Sequence, residues 1–152
     1  MREEAYAAWL ESSVAGYAED KVASGQWPRE DALARSLAEF AALLPQGLAT
    51  PDNHLFEILA TADGPTVGYL WFAVEDHHGV RGAYVYDVEI KAEFRRQGHA
   101  RRAFRLLDAI VASLGLATIG LHVFGHNPGA QALYSQLGFA VTGINMLKRL
   151  DA

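Results

Sequence analysis

The chain has 152 residues, 51% of them hydrophobic, with no cysteine and a net charge of -5 at neutral pH. This length suits one domain, residues 1–152, with a core of ordinary size, and the composition is not that of a disordered chain. The missing cysteines exclude disulfides, thiolate catalysis and cysteine-ligated zinc, and the acidic balance argues against general nucleic-acid binding.

Two amphipathic helices are predicted first. Residues 3–23 carry an apolar stripe that includes Trp9, Val14 and Tyr17, and residues 28–44 carry a second one behind Pro28. No run reaches the roughly 18 apolar residues of a membrane helix, and the N-terminus is acidic where a signal peptide is basic. We therefore expect a cytoplasmic protein without a membrane partner.

Three antiparallel strands follow a loop at 45–53, because the apolar period changes from helical spacing to two. They cover residues 54–62, 66–75 and 80–91. In the third, strict alternation places Tyr84, Tyr86, Val88 and Ile90 on one face and Val85, Asp87 and Glu89 on the other. Two acids in a strand of aromatic and β-branched residues suggest a polar cavity on their side.

The second half alternates helix and strand. It predicts a helix at 98–114 ended by Gly115, a strand at 117–124, a helix between the N-cap Asn127 and Gly138, and a last strand at 140–150. The fold class is α/β with a mixed, mostly antiparallel sheet, two N-terminal helices and two further helices in one domain.

The junction FRRQGHA joins the third strand to its helix and has the properties of an anion site. Backbone amides at a helix N-terminus attract phosphate, and Gly98 permits close approach by the backbone. A helix start with solvated arginines is the plainer alternative. Neither the P-loop pattern nor the dinucleotide-binding glycine pattern is present.

Arg95-Arg96-Gln97-Gly98-His99-Ala100 resembles the acetyl-CoA signature of the GNAT superfamily of N-acetyltransferases. Downstream, GLHVFGHNPGAQALYSQLGF is similar to the second half of that family's pattern. The resemblance covers residues 54–149 and implies the GNAT fold, with an acetyl-CoA-binding core at about 83–139.

The resemblance also implies roles for individual residues. Acetyl-CoA would be the cosubstrate, without a metal, and its pantetheine arm would lie between the strands at 83–91 and 117–124. The implied pyrophosphate amides are those of Gln97, Gly98, His99 and Ala100, supported by Arg95 and Arg96, and the implied pantetheine contacts are the main chain of Val88 and Ile90 with Asn127.

Tyr134 matches the family's usual general acid, and a tyrosine hydroxyl can donate a proton at neutral pH. It also fits a core role beside Leu133 and Leu137. Asp87 is the favoured base or amine-binding group and Glu89 the second choice; the alternative for either is a structural acid paired with an arginine such as Arg81.

The histidines carry weaker hypotheses. His122 and His126 suit a metal only on a helix, and they lie on a predicted strand and loop. His54 is a weak candidate for the acceptor pocket. The predicted function is acetyl transfer to a primary amine, a small molecule rather than a protein; a non-catalytic acyl-CoA-binding regulatory domain is the alternative.

One departure from the family pattern concerns the N-terminus. Family members begin with a short edge strand, whereas Met1 is followed almost at once by helix. We expect the sheet edge left exposed there to favour pairing between chains, which makes a homodimer a prediction.

Overall fold

The computed structural model describes residues 1–150 and begins with two packed helices. Helix α1 covers Glu3–Ala23 and α2 covers Arg29–Leu43, close to the predicted ranges. Their shared core contains Trp9 and Phe40, and the buried Ser36 hydroxyl donates to the Val14 carbonyl at 2.7 Å. Within residues 1–150, no helix is long and apolar enough to cross a membrane.

Four strands form one sheet in the order β1-β2-β3-β4. Strands β1 (Asn53–Leu59), β2 (Thr66–His77) and β3 (Val80–Ile90) are antiparallel, as the sequence predicts. Strand β4 (Ile119–Leu121) runs parallel to β3 and is shorter than the predicted 117–124. The sheet is therefore mixed, with β1 and β4 at its edges.

A β-bulge in β3 overturns the predicted alternation of its side chains. Trp71 pairs with Asp87 and Phe72 with Val85, so Tyr86 is an extra residue in the strand. A bulge shifts the facing of every later residue by one position. Tyr86 consequently stacks on Trp71 on the α1 side, the side to which Asp87 also turns, while Val85 and Val88 share the opposite core.

Two further helices cover the other face of the sheet. Helix α3 (His99–Ser113) packs through Phe104, Leu107 and Val111 against β2 and β3. Helix α4 covers Pro128–Gln136, and Asn127 is its N-cap, as predicted. The sheet thus separates two cores, one under α1 and α2 and one under α3. The face to which a strand residue turns decides which of the two sides its side chain lies on.

The predicted last strand at 140–150 is wrong. These residues have no regular secondary structure, and none of their backbone groups takes part in a hydrogen bond within the described chain. A strand requires a partner, because each backbone N–H and C=O needs one. The sequence of this segment suits a strand, but within residues 1–150 it has no hydrogen-bonding neighbour.

Candidate active site

The site begins as a gap between β3 and β4. These strands pair only over 83–85 with 119–121 and then separate. Beyond the bulge, the Lys91 N–H donates to the Val67 carbonyl on β2. Because successive residues of a strand point their backbone groups to opposite sides, those of Val88 and Ile90 point away from β2 and into the gap. The Val88 groups and the Ile90 N–H are placed to pair with an extended molecule lying there like an added strand, while the Ile90 carbonyl already accepts from Arg95.

The loop before α3 presents four backbone N–H groups without protein acceptors. Within residues 1–150, the amides of Gln97, Gly98, His99 and Ala100 donate to no backbone or side-chain oxygen. Gly98 has φ of 81° as the N-cap of α3. Free amides at the positive end of a helix dipole form a ready anion site, so the structure fits a pyrophosphate here.

The arginines near this loop have different tasks. The Arg95 Nε donates to the Ile90 carbonyl at 3.0 Å, which ties the loop to the end of β3. Arg102 donates to the Gln97 carbonyl at 3.3 Å. Arg96 is exposed, with φ of 61°. The His99 ring is buried against Phe94 and Arg102, which leaves its amide as the group available to a ligand.

Asp87 is held by two donors from α1. The Trp9 Nε1 donates to Asp87 Oδ2 at 3.0 Å, and the Ser13 hydroxyl donates to the same oxygen at 3.1 Å. Burial raises the pKa of Asp87 to about 6, and the nearby Glu89 adds to the rise. Because Oδ1 has no protein partner in the described structure, this carboxyl can bind or deprotonate an amine.

Sequence reasoning missed Trp9 and Ser13 as partners of the site. They lie four positions apart on α1 and so share one face. A serine buried within an apolar helical stripe was the available signal, because a buried hydroxyl requires a partner. The identity of that partner depended on the bulge and was not readable from the sequence.

The alternative in which Arg81 neutralises Asp87 or Glu89 is wrong. Arg81 instead lies 3.8 Å from Asp52 and 4.0 Å from Asp76, both near the turn between β2 and β3. Glu89 is two residues beyond Asp87 on β3 and therefore turns to the same face. Among residues 1–150, the site consequently has two acids and no arginine paired with either.

Tyr134 is both a packed residue and a neighbour of the site. Its ring contacts Phe104 and Phe139 at centroid distances of 5.5 and 5.7 Å. Burial, and secondly the charge of Asp87, raises the pKa of Tyr134 above its ordinary value of 10.0. The tyrosine is therefore protonated at neutral pH, and it is close enough to Asp87 for the charge of that carboxyl to act on its hydroxyl.

Asn127 caps α4, since its Oδ1 accepts from the Ala130 N–H at 3.2 Å. Its Nδ2 donates to no acceptor in residues 1–150 and remains available. The sequence assigned Asn127 to the cap and to the pantetheine at once, and the two roles use different atoms of one side chain. The cap fixes the direction in which the free amide nitrogen points.

The side chains of His54 and His126 have partners outside the group formed by Asp87 and the loop amides. His54 stacks on Phe72 at 4.6 Å, and Phe72 belongs to the α3 core on the opposite face from Asp87. His126 pairs with Asp20 at 2.9 Å. Over the described chain, no group of three or more His, Cys, Asp or Glu side chains is arranged for a metal.

A cavity of about 410 Å³ lies elsewhere, between β1 and α3. Its lining is mostly apolar and includes Phe56, Ile58, Leu106 and Ile110. Neither Asp87 nor Tyr134 contributes to it. The polar groups described above meet instead at the open gap between β3 and β4, which is the candidate active site.

Splayed strands, a free-amide loop at a helix N-terminus, and an acid on β3 together have the arrangement of an acyltransferase. The model of the acetyltransferase (GNAT) family matches residues 16–139. The chain belongs to this family.

Two relatives from Bacillus subtilis extend over nearly the whole chain. The uncharacterized N-acetyltransferase YycN is 39% identical over 150 residues, covering 99% of this chain and 96% of YycN. The uncharacterized N-acetyltransferase YdgE is 33% identical over 150 residues, covering 99% of this chain and 95% of YdgE.

Solved structures agree on the fold. The crystal structure of YycN covers 100% of this chain and 96% of its own, with 38% identity and a TM-score of 0.93. The structure of AAC(6')-Iy in complex with the bisubstrate analog CoA-S-monomethyl-acetylneamine covers 78% of this chain and 80% of its own, at 18% identity and a TM-score of 0.56. The α/β GNAT fold expected from the sequence is confirmed.

Proposed function

We propose that this protein, acting as one domain, transfers the acetyl group of acetyl-CoA directly to a primary amine on a small molecule. The observation that carries the proposal is the gap where β3 and β4 separate, with the four free amides of the loop before α3. Two titratable side chains, Asp87 on β3 and Tyr134 on α4, accompany it. One is a carboxyl with a raised pKa, and the other is a protonated phenol. Together they supply an acceptor and a donor of protons.

The residues around the gap suit acetyl-CoA. The four free amides of residues 97–100, with Arg96, would hold the pyrophosphate, and Arg95 would keep the loop on β3. The backbone of Val88 and Ile90 and the Nδ2 of Asn127 would hold the pantetheine. Acetyl-CoA would supply an acetyl thioester at the inner end of the gap.

Proton movements then fall to two side chains. Asp87 would accept the proton of the attacking amine at Oδ1, while Trp9 and Ser13 keep the carboxyl oriented through Oδ2. The Tyr134 hydroxyl would donate to the departing sulfur. With no cysteine in the chain, attack by the amine itself needs no covalent enzyme intermediate.

A cationic small amine fits the acceptor side best. Asp87 and Glu89 turn toward α1 with no paired arginine in the described part of the chain. Trp9 donates to Asp87, and Trp9, Trp71 and Tyr86 contact one another on this side, so the wall is aromatic. An ammonium group is attracted both by carboxylates and by aromatic faces. The alternative function, an acyl-CoA-binding regulatory domain, would leave this acid–tyrosine pair without a use.

Turnover of acetyl-CoA against a panel of amines tests the proposal. We expect acetylation of at least one class of small cationic amines, with release of free coenzyme A measured by a thiol reagent. The absence of native cysteine gives this assay a low background. Tight acetyl-CoA binding with no turnover on polyamines, aminoglycosides or amino acids would instead favour the regulatory function.

Gly98→Leu is expected to weaken acetyl-CoA binding at least tenfold. A Cβ placed there would lie 3.4 Å from Arg102 Nη1, within the loop that presents the free amides, and the φ of 81° adds about 1–2 kcal/mol of backbone strain. Gly115→Leu is the matched control, because Gly115 ends the same helix with φ of 75° and no atom nearby. Calorimetry should show both variants similarly destabilised, but only Gly98→Leu impaired in binding. Equal affinities would contradict the proposed pyrophosphate site.

A further inference from the structure

The segment 140–150, called here the C-terminal arm, is apolar and exposed. Ile144, Met146 and Leu150 are 78%, 92% and 89% exposed. None of the arm's backbone groups is hydrogen-bonded within the described chain. Exposed apolar residues concentrated in one unpaired segment are typical of an interaction site, because burying their surface against a partner is favourable.

The arm does not lie on its own sheet. Leu147 and Arg149 approach the α1–α2 turn, where a Cβ placed on Gly25 would be 3.2 Å from Leu147 Cδ2 and 3.1 Å from Arg149 Nη2. Along the arm, Ile144, Met146 and Leu150 share the even positions, which an extended strand turns to one face. The arm therefore has the pattern of a strand but not the neighbour of one.

The outer edge of β4 is a strand edge without a neighbouring strand in the described sheet. Strand β4 is bonded to β3 on one side only and ends the sheet. Neither β4 nor α4 contains a buried residue. At the other edge, the Met1 ammonium donates to the Leu55 carbonyl at 2.7 Å, and Arg2 pairs with Glu57 at 2.9 Å, so β1 is partly covered. The more open edge is that of β4.

We infer that two copies of this chain exchange their C-terminal arms, each arm adding as a strand to the outer edge of β4 in the other copy. Each copy has one free strand and one free edge, so a pair related by twofold symmetry satisfies both at once. Charge permits the contact, because the arm carries Lys148 and Arg149 without an acid, whereas the chain as a whole has a net charge of -5. The edge used is not the N-terminal one expected from the sequence.

Sedimentation equilibrium of the full chain tests the exchange. We expect a dimer at micromolar concentration and at least a tenfold weaker dimer for the double variant Ile144→Asp/Met146→Asp. Leu33→Asp is the matched control, because Leu33 is 60% exposed on α2 outside the arm. Circular dichroism confirms that each variant is folded. A monomeric parent chain, or a double variant that dimerises as the parent does, overturns the inference.

Disulfide trapping distinguishes exchange from other dimers, since the chain has no cysteine of its own. A chain with Asn145→Cys is refolded with a longer tagged chain carrying His122→Cys or Thr118→Cys, on either side of β4. We expect a mixed disulfide between the two chains. Crosslinking to Leu59→Cys on β1 instead, or only within one chain that carries both cysteines, shows another arrangement and overturns the proposal.

Discussion

Asp87→Asn is expected to lower kcat/KM for the amine by about 10²–10³-fold, the usual contribution of a positioned acid or base. An asparagine has nearly the same shape and can still accept from Trp9 and Ser13, which hold the native carboxyl at 3.0 and 3.1 Å. It cannot accept a proton from the attacking amine. The loss of activity would therefore come from the missing base rather than from a rearranged site.

The same substitution is expected to stabilise the fold above pH 6. Burial raises the pKa of Asp87 from 3.8 to about 6, so between these values the native state binds more protons than the unfolded state. Stability therefore falls as pH rises through this window, by roughly 3 kcal/mol at most. Since Asp87 keeps some exposed surface, the cost is smaller in practice. Asparagine avoids it at every pH.

Denaturant unfolding at pH 4 and pH 8, together with steady-state kinetics, checks both effects. The stability gain of Asp87→Asn should appear at pH 8 and vanish at pH 4. Asp76→Asn is the control, an exposed acid near Arg81 that lies away from the gap. Full activity in Asp87→Asn would remove Asp87 from the mechanism, and a larger loss in Glu89→Gln would transfer the role of base to Glu89.

A pH–rate profile follows from the same group. If Asp87 accepts the proton, kcat/KM should rise with pH and level off above a pKa near 6, because only the carboxylate is active. The Asp87→Asn variant should lose this limb. The buffer series must hold ionic strength constant, since a cationic amine is attracted less strongly when salt is added.

The helices and the loop before α3 could be predicted because their signals are local. Apolar spacing defines α1, α2 and α3, and a glycine between a strand and a helix marks the amide loop. The bulge at Tyr86 could not be predicted, because it depends on how β3 pairs with β2. The alternation rule correctly grouped Asp87 with Glu89 but placed Val85 with them and Tyr86 opposite.

The predicted C-terminal strand failed for a related reason. Its sequence alternates correctly, yet strand formation is decided by the neighbour and not by the segment. Strand β4 is short where the sequence predicts eight residues, 117–124, and only three, Ile119–Leu121, are paired. The C-terminal arm thus has the sequence of a strand but, within residues 1–150, none of the hydrogen bonds of one.

The proximity of Asp87 to Tyr134 could not be predicted from the sequence. Tyr134 lies on α4 and Asp87 on β3, and the fold brings them near enough for the charge of Asp87 to raise the pKa of Tyr134. From the sequence, the core role and the catalytic role of Tyr134 compete. In the fold they coexist, because the ring packs on Phe104 while the pKa of the hydroxyl responds to the charge of Asp87.

Tyr134→Phe is accordingly expected to reduce kcat by about 10²-fold while leaving acetyl-CoA affinity within twofold. The substitution removes only an oxygen, and that hydroxyl makes no hydrogen bond within residues 1–150, so packing on Phe104 and Phe139 is retained. Without the hydroxyl, the departing thiolate receives no proton, and the activation free energy of the chemical step rises. Binding, which depends on the loop amides, is unaffected.

Stopped-flow release of coenzyme A and calorimetric titration separate these two quantities for Tyr134→Phe. Tyr6→Phe is the matched control, because burial also raises the pKa of Tyr6 but its hydroxyl lies by Gly47. An unchanged kcat would show that Tyr134 acts only in packing. A loss of affinity equal to the loss of kcat would mean that the tyrosine positions the cosubstrate and does not protonate the sulfur. Only a fall in kcat at constant affinity assigns the proton to its hydroxyl.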